Sequence, residues 1–260
     1  IAVCGTAMGA LACLLKDLGL EVTGSDQKIY PPMSRFLAER GVHMFDGFRP
    51  ENLAHRPDLV VVGNAVPRTN PEAVELERLG LAFCSMPQAV NRFVAAGRQA
   101  LMVVGTHGKT TTSALLAWML HAAGCDPAFV IGGILADFGS NYRLGGGRQI
   151  VIEGDEYSTS WKDKGPKFLH YAPRTFVLTS VEFDHADLYA DLDAVKEAFR
   201  SGVALVPPGG RIVAFGDDAN VRDVLSPARA RVVLYGLGDD ADLDLRADAI
   251  EEGPEGTRFT

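Results

Sequence analysis

A strand-like apolar run, a glycine turn and a helix start follow one another at residues 101–112, which read Leu-Met-Val-Val-Gly-Thr-His-Gly-Lys-Thr-Thr-Thr. Backbone N–H groups in such a turn can surround phosphate oxygens, and the helix N-terminus adds roughly half a positive charge. Lys109 adds a full charge, and Thr110 offers a hydroxyl group to Mg²⁺. The pattern therefore predicts a phosphate-binding loop made of Gly105, Thr106, His107, Gly108, Lys109, Thr110 and Thr111.

This loop departs from the usual Walker pattern at one position. That pattern has a second glycine five residues before Gly108, where this chain has Val103. A Gly-Lys-Thr sequence also occurs by chance in surface loops. The apolar strand before it and the amphipathic helix after it, which carries Leu115, Leu116 and Met119, favour phosphate binding.

Two further side chains with metal-binding chemistry follow predicted strands. Glu153 comes after the apolar run 150–152, and ligands of parallel sheets gather at the carboxyl ends of the strands. We therefore expect Glu153 beside the phosphate loop. His185 lies past the strand predicted at 176–179 and can reach the same edge. Because Mg²⁺ prefers oxygen ligands, residue type alone does not select His185, and an Asp-His pair is also typical of a capped turn.

Three segments, in this order along the chain, resemble the Mur ligases, which make the peptide stem of peptidoglycan. They are Gly-Thr-His-Gly-Lys-Thr-Thr at 105–111, Ile-Val-Ile-Glu-Gly-Asp-Glu-Tyr at 150–157 and Val-Glu-Phe-Asp-His-Ala-Asp at 181–187. The resemblance implies that ATP is the nucleotide and that Glu153 and His185 bind a second Mg²⁺, between the γ-phosphate and a substrate carboxylate. Glu156 remains the alternative ligand to Glu153.

The resemblance also implies a two-step reaction. A substrate carboxylate attacks the γ-phosphate to give an acyl phosphate, and an amine then displaces phosphate. Lys109, Glu153 and His185 would be the catalytic residues, since phosphoryl transfer depends on charge neutralisation and alignment. Several Mur ligases carry a carbamylated lysine on the helix after the Asp-His segment. Arg200 falls near that position here, with Lys196 a turn earlier, so we expect no carbamate.

A second glycine-containing turn, at residues 5–9, lies between a predicted strand and a predicted helix. Asp26 closes the next strand, and this arrangement suits a nucleotide diphosphate, with Asp26 at a ribose or base. The turn matches the dinucleotide-binding motif only in part, because Ala7 stands where that motif usually has its second glycine.

Several short sequence segments of this first region resemble one branch of the Mur ligases. The shared segments are Cys-Gly-Thr-Ala-Met-Gly at 4–9, Val-Thr-Gly-Ser-Asp at 22–26, Tyr-Pro-Pro-Met-Ser at 30–34, Gly-Asn-Ala at 63–65, Asn-Pro at 70–71 and Met-Pro-Gln at 86–88. That branch joins recycled L-alanyl-gamma-D-glutamyl-meso-diaminopimelate to UDP-N-acetylmuramate. The resemblance implies a UDP-sugar site lined by Gly5, Thr6, Met8, Gly9, Asp26 and Asn64. Helix packing is the alternative role of Met8.

Three other functions remain open from the sequence. The first is addition of L-alanine to UDP-N-acetylmuramate, and the second is a UDP-sugar-binding module without catalysis. The third is a phosphate-loop kinase or GTPase that uses Asp184 as a metal ligand. The intact set Lys109, Thr110, Glu153 and His185 disfavours the non-catalytic module, and the missing Walker glycine disfavours the third function.

Short apolar strands alternate with helical stretches along the chain, which is typical of βα units around a mainly parallel sheet. Strands are predicted at 1–4, 21–25, 59–62, 81–84, 101–104, 150–153, 176–179, 211–215 and 231–235, and helices at 8–18, 32–40, 71–79, 109–123 and 194–205. We expect an α/β fold with a Rossmann-like UDP-N-acetylmuramate-binding domain at 1–98 and a P-loop-type central ATPase domain at 99–260.

The family's Gly-x-His-Asn segment and amine-binding third domain do not occur before Thr260, so we expect the chain alone to be inactive or nearly so.

Composition limits the partners. The net charge of −8 and the pI near 5.3 argue against nucleic acid as a partner. No apolar run approaches the ~18–20 residues that cross a bilayer. The four cysteines lack Cys-x-x-Cys spacing, which favours reduced thiols over a metal site. We therefore expect a soluble, cytoplasmic protein that binds neither nucleic acid nor membrane.

Overall fold

The computed structural model describes residues 1–31, 33–184, 186 and 188–260. Its helices are α1 (Thr6–Asp17), α2 (Met33–Glu39), α3 (Pro71–Leu79), α4 (Met86–Ala89), α5 (Lys109–Ala122), α6 (Leu192–Leu205) and α7 (Ala219–Val224). Its strands are β1 (Thr23–Asp26), β2 (His43–Asp46), β3 (Val60–Val62), β4 (Phe83–Ser85), β5 (Gln99–Val104), β6 (Ala128–Leu135), β7 (Ser140–Arg143), β8 (Gln149–Glu153), β9 (Thr175–Leu178), β10 (Arg211–Phe215), β11 (Arg231–Gly236), β12 (Leu245–Arg246), β13 (Glu251–Gly253) and β14 (Gly256–Arg258).

The chain divides into two compact units. Unit one contains Ile1–Ala100 and Thr110–Tyr171, and unit two contains Leu101–Lys109 and Ala172–Thr260. In unit one, β1 pairs with β2 and β3 with β4, both in parallel, while β6 pairs in parallel with β8 and antiparallel with β7. Helix α1 packs against β6 and β7.

Unit two is built on parallel strands. β9 lies between β5 and β10, and β11 pairs with β10 and β12. Met102, Val103 and Val104 of β5 are completely buried, so the strand that leads into the phosphate loop is anchored in the core. An antiparallel hairpin of β13 and β14 lies in the segment 238–260.

The predicted α/β class with mainly parallel strands is confirmed. Helix α3 shows why its prediction matched residue by residue. Asn70 accepts hydrogen bonds from the backbone N–H groups of Glu72 and Ala73, Pro71 occupies the first turn, and Gly80 ends the helix with φ +62°. Apart from the strand predicted at 1–4, each of the other predicted strands and helices begins and ends within two residues of its predicted bounds.

The strand predicted at residues 1–4 is wrong. Val3 N–H donates to Ser25 O and Gly63 N–H donates to Ile1 O, both at 3.0 Å, so the segment does bond to its neighbours. Ala2, however, has φ +65°, which interrupts an extended strand.

The domain boundary near Arg98 stays a prediction, because unit one contains residues on both sides of it. Within the described part of the chain, every helix is too short or too polar to cross a membrane.

Candidate active site

The phosphate loop leaves β5 at Gly105 in a backbone conformation that favours glycine. Its φ is +136°, and a Cβ atom there would overlap the hydroxyl oxygen of Thr179 and lie 2.9 Å from the backbone nitrogen of Ser180. Gly108 has φ +79°. Both glycines allow a turn that an L side chain would strain. The strand, glycine turn and helix predicted for this segment are therefore present.

Lys109 is the first residue of α5, and its side chain folds back over the loop. Its Nζ donates hydrogen bonds to the carbonyl oxygens of Gly105 at 2.7 Å and Thr106 at 3.1 Å. The ammonium group is thereby held at the loop that the sequence predicts to bind phosphate. Two of the other predicted loop residues, Gly105 and Thr106, are buried. The exposed ones are His107, Gly108, Thr110 and Thr111.

The segment after β9 is bonded to the phosphate loop. Thr106 N–H donates to Ser180 O, and His107 N–H donates to Ser180 Oγ, both at 3.0 Å. Thr106 Oγ1 accepts from Glu182 N–H at 2.9 Å and donates to Glu182 O at 3.2 Å, while Thr179 Oγ1 donates to His107 O at 2.5 Å. The loop and the start of the Asp-His segment thus form one hydrogen-bonded structure within unit two.

Thr110 and Glu153 form a second cluster, within unit one. Thr110 Oγ1 donates to Glu153 Oε1 at 2.7 Å, and Gly132 N–H donates to Glu153 Oε2 at 2.6 Å. Glu153 is half-buried at the end of β8, and Thr110 is exposed. Two predicted metal ligands therefore lie in direct contact, and the carboxylate orientation is fixed by a backbone donor.

Gly132 and Gly133 line this cluster and were not predicted from the sequence. A Cβ atom at Gly132 would lie 3.1 Å from Glu153 Oε2, and one at Gly133 would lie 3.2 Å from Thr110 Cγ2. Both glycines belong to β6. A glycine pair inside a strand is a known signal of close approach by another group, and here it could have pointed to Glu153.

The other acidic residues after β8 are differently placed. Asp155 Oδ2 forms an ion pair with Lys167 Nζ at 2.6 Å, and Asp155 Oδ1 accepts from Tyr157 N–H at 3.0 Å. Glu156 is buried, with 6% of its surface exposed. His185 lies outside the described residues, so its predicted role as a metal ligand stays a prediction.

The predicted UDP-sugar residues of the first loop lie at the start of α1. Gly5 is the N-cap residue and supplies no side-chain cap, so the first N–H groups of this 12-residue helix are left for water or a ligand. Gly5 and Thr6 are exposed and Met8 is half-buried. Gly9 is buried, and a Cβ atom there would overlap the side chain of Met33. Gly9 therefore has a packing role that the sequence did not predict.

Asp26 closes the first loop from β1. Its Oδ2 accepts from Cys4 N–H at 2.9 Å and its Oδ1 from Lys28 N–H at 3.3 Å. Burial raises the pKa of the Cys4 thiol, and the neighbouring Asp26 charge adds to this effect. Asn64 is exposed after β3. Asn141 on β7, which the sequence analysis did not single out, donates from Nδ2 to Thr6 O at 3.2 Å.

Lys196 and Arg200 lie on α6, and both bond to Asp223. Lys196 Nζ lies 3.0 Å from Asp223 Oδ2, and Arg200 Nη2 lies 3.0 Å from Asp223 Oδ1. These two cations lower the pKa of Asp223. The expected absence of a carbamate stays a prediction.

Two family models match this chain. Residues 1–98 match the Mur ligase family, catalytic domain, and residues 103–260 match the Mur ligase middle domain. The resemblance inferred from the three motifs is therefore confirmed.

Individual relatives agree with these matches. The UDP-N-acetylmuramate–L-alanyl-gamma-D-glutamyl-meso-2,6-diaminoheptandioate ligase of Escherichia coli (strain K12) is 43% identical over 226 residues, which cover 87% of this chain and 50% of the relative. The UDP-N-acetylmuramate–L-alanine ligase of Rubrobacter xylanophilus is 38% identical over 253 residues, or 97% of this chain and 54% of the relative. The chain thus spans about half the length of the curated relatives it matches.

Solved structures give the same result. The UDP-N-acetylmuramate:L-alanyl-gamma-D-glutamyl-meso-diaminopimelate ligase from Neisseria meningitides superposes with a TM-score of 0.88 at 37% identity and covers 100% of this chain and 82% of its own. A murein peptide ligase from Psychrobacter arcticus superposes with a TM-score of 0.85 at 34% identity and covers 100% of this chain and 59% of its own. Together with the family models, these similarities show that the chain belongs to the Mur ligase family.

Proposed function

We propose that this chain is the nucleotide-handling part of a murein peptide ligase. That enzyme would use ATP to join L-alanyl-gamma-D-glutamyl-meso-diaminopimelate to UDP-N-acetylmuramate in the cytoplasm, during recycling of peptidoglycan. The observation that carries the proposal is the Thr110–Glu153 contact of 2.7 Å, in a chain whose relatives at 43% and 39% identity are named for this reaction.

The Thr110–Glu153 cluster fits Mg²⁺. A hydroxyl and a carboxylate are the hard oxygen ligands that Mg²⁺ prefers, and the exposed Thr110 leaves access for phosphate and water. Thr110 would hold one Mg²⁺, and Glu153 with His185 would hold a second. Glu153 is preferred to Glu156, because Glu156 is buried while Glu153 contacts Thr110 directly. Bound Mg²⁺ would neutralise charge on the transferred phosphoryl group.

Lys109 would stabilise the phosphates of ATP. Its ammonium group already lies on the loop carbonyls, 2.7 Å from Gly105 O, so little reorganisation precedes phosphate binding. The muramate carboxylate would attack the γ-phosphorus and release ADP. The peptide amine would then attack the acyl carbon, lose a proton and release inorganic phosphate, which needs no nucleophilic side chain.

The first loop would hold UDP-N-acetylmuramate. Gly5, Thr6, Met8 and Gly9 lie where the open N-terminus of α1 favours a diphosphate, and the N–H bonds to Asp26 fix the neighbouring carboxylate. Asn64 is exposed and able to contact the sugar or base. The proposed division into a UDP-sugar domain at 1–98 and an ATPase domain at 99–260 is supported by the family matches at 1–98 and 103–260.

Isothermal titration calorimetry on this chain tests the proposed substrate. UDP-N-acetylmuramate is expected to bind, and UDP-N-acetylglucosamine, which lacks the lactyl carboxylate, is expected to bind at least tenfold more weakly. Equal binding of both nucleotides, or binding of neither, would count against a muramate site.

Turnover by residues 1–260 alone is expected to be poor or nil, and full ligase activity from them would contradict this expectation.

Ligation of L-alanine is the second candidate. It is favoured by the 38% identity to the L-alanine ligase of Rubrobacter xylanophilus. Offering L-alanine and the tripeptide in parallel to the full-length protein distinguishes the two reactions.

A further inference from the structure

We propose that Glu72, at the start of α3, is a positioning residue for Asp26 and thereby for the UDP-sugar site. Glu72 is completely buried, with 0% of its surface exposed, and it is not among the residues predicted to line that site. The inference rests on the proposed function, in which Asp26 belongs to the UDP-N-acetylmuramate site.

The Glu72 carboxylate accepts hydrogen bonds from two separate parts of unit one. Its Oε2 accepts from Ser25 Oγ at 2.5 Å. Its Oε1 accepts from Asn52 Nδ2 at 2.5 Å and from Arg49 N–H at 3.4 Å. Burial of a carboxylate costs free energy that an apolar side chain would not, unless hydrogen bonds compensate for the lost water. These bonds compensate, and they also fix direction, because one oxygen faces β1 and the other faces the segment after β2.

The first oxygen holds the residue before Asp26. Ser25 is only 4% exposed, so little water reaches its hydroxyl group. Its carbonyl oxygen is held as well, because Val3 N–H donates to Ser25 O at 3.0 Å. Ser25 is therefore fixed by its side chain and by the peptide group that joins it to Asp26.

The second oxygen reaches the backbone of Asp26 through the segment after β2. Asn52, which donates to Glu72, also donates from Nδ2 to Gly47 O at 2.9 Å. Gly47 N–H in turn donates to Asp26 O at 2.8 Å. A continuous series of contacts therefore runs from Glu72 through Asn52 and Gly47 to Asp26.

Asp26 is the point at which these contacts meet the first loop. Its Oδ2 accepts from Cys4 N–H at 2.9 Å, immediately before Gly5 and the start of α1. The carboxylate keeps this place beside the loop only if the backbone of residues 25–26 stays fixed. Glu72 thus supports a binding residue that it does not itself touch.

Substitutions at Glu72 and Ser25 separate positioning from the presence of a charge. In Glu72→Gln, the side-chain oxygen must face Asn52 Nδ2 and Arg49 N–H, which can only donate. The amide nitrogen then faces Ser25 Oγ, which can accept instead of donating, so all three bonds survive. Glu72→Ala removes all three bonds. Ser25→Ala removes only the bond to β1, and it tests the inference where Glu72→Ala fails to fold.

Calorimetric titration of UDP-N-acetylmuramate into the full-length protein is the first readout. Glu72→Ala and Ser25→Ala are expected to raise the dissociation constant by about tenfold or more, the equivalent of one lost hydrogen bond to a charged group. Glu72→Gln should stay within about twofold of the wild-type value, because its bonds survive. Asp191→Ala is the matched control, since it removes the cap of α6 in unit two and should lower only the melting temperature.

Steady-state kinetics of the same proteins is the second readout. Both alanine variants should raise KM for UDP-N-acetylmuramate by about tenfold or more, and leave kcat and KM for ATP within about twofold. A loss of folded protein alone would lower the apparent kcat and leave both KM values unchanged.

A double-mutant cycle tests whether these contacts act through Asp26. Asp26→Ala alone is expected to weaken binding of UDP-N-acetylmuramate. Adding Ser25→Ala should weaken it further by no more than about twofold, because the carboxylate that is positioned is already absent. Losses that multiply in the double variant would overturn the positioning role.

The outcomes separate this inference from the proposed function. If the wild-type protein binds UDP-N-acetylmuramate and Glu72→Ala and Ser25→Ala bind it equally well, the positioning role is refuted and the proposed function stands. Wild-type binding by Asp26→Ala would also refute the inference. If the wild-type protein does not bind UDP-N-acetylmuramate, the proposed function fails and the inference fails with it.

Discussion

Replacing Glu153 by glutamine changes a single atom of the Thr110–Glu153–Gly132 cluster. Gly132 N–H can only donate, so the glutamine Oε1 must face it across the present 2.6 Å contact. The amide nitrogen then faces Thr110, whose hydroxyl can accept instead of donating across the present 2.7 Å contact. Both hydrogen bonds survive, and only their charge assistance is lost.

The cost to stability follows from this geometry. Hydrogen bonds to charged groups contribute roughly 1.5–3 kcal/mol and neutral ones roughly 0.5–1.5 kcal/mol. Thr110 is exposed and Glu153 half-buried, so water offsets much of that difference. We expect Glu153→Gln to lower the free energy of unfolding by no more than about 1 kcal/mol.

The cost to activity should be far larger. Glutamine lacks the negative charge that a Mg²⁺ ligand supplies. Its amide nitrogen would also donate a hydrogen bond to the Thr110 hydroxyl oxygen, which would then be less available to Mg²⁺. We expect kcat/KM of the full-length protein to fall by at least ~100-fold, equivalent to about 2.7 kcal/mol of transition-state stabilisation.

Thermal unfolding and a Mg²⁺-dependent ADP-release assay measure the two quantities on the same preparations. Glu156→Gln is the control, since Glu156 is the alternative ligand. Near-wild-type activity in Glu153→Gln would refute the assignment of Glu153, and a large loss in Glu156→Gln alone would transfer it to Glu156.

Three further substitutions test individual parts of the structure. Gly105→Ala should weaken ATP binding at least ~100-fold in calorimetry, because Gly105 has φ +136° and its new Cβ would crowd Ser180; unchanged affinity would contradict this. Glu72→Ala should lower the free energy of unfolding in urea by roughly 2–4 kcal/mol, because the buried carboxylate accepts hydrogen bonds from Ser25 and Asn52, both at 2.5 Å; a loss below about 1 kcal/mol would argue against this network. Asp223→Asn should lower the melting temperature at pH 7, and this effect should shrink as pH falls below about 3.9, the ordinary Asp value, because Lys196 and Arg200 lower the folded-state pKa of Asp223 and its contribution is lost as pH falls through that lowered value; an effect that stays constant down to the lowest pH at which the protein folds would exclude the ion pairs as the cause.

Local signals accounted for the parts of the fold that the sequence predicted well. The Asn-Pro start and glycine end of α3 set its bounds, and the apolar run before Gly105 predicted β5. Local signals failed at residues 1–4, where apolar composition predicted a strand but Ala2 adopts φ +65°. Composition alone does not reveal a single residue in the left-handed region.

The site residues that were not predicted from the sequence bond to partners far away in the chain. Glu153 was predicted from its place after an apolar strand, yet Gly132, which orients its carboxylate, is 21 residues away in sequence. Glu72 bonds to Ser25 and Asn52 across 47 and 20 residues. Such partners depend on strand order and register, which a single sequence does not specify.

Ligation by the full-length protein tests the central claim most directly. The protein would be incubated with ATP, Mg²⁺ and UDP-N-acetylmuramate, with either L-alanyl-gamma-D-glutamyl-meso-diaminopimelate or L-alanine, and the products identified by mass spectrometry. We predict the UDP-N-acetylmuramoyl tripeptide and an equal amount of ADP, with little product from L-alanine. Product from L-alanine alone would contradict the assigned acceptor, and no product from either acceptor would contradict the ligase function.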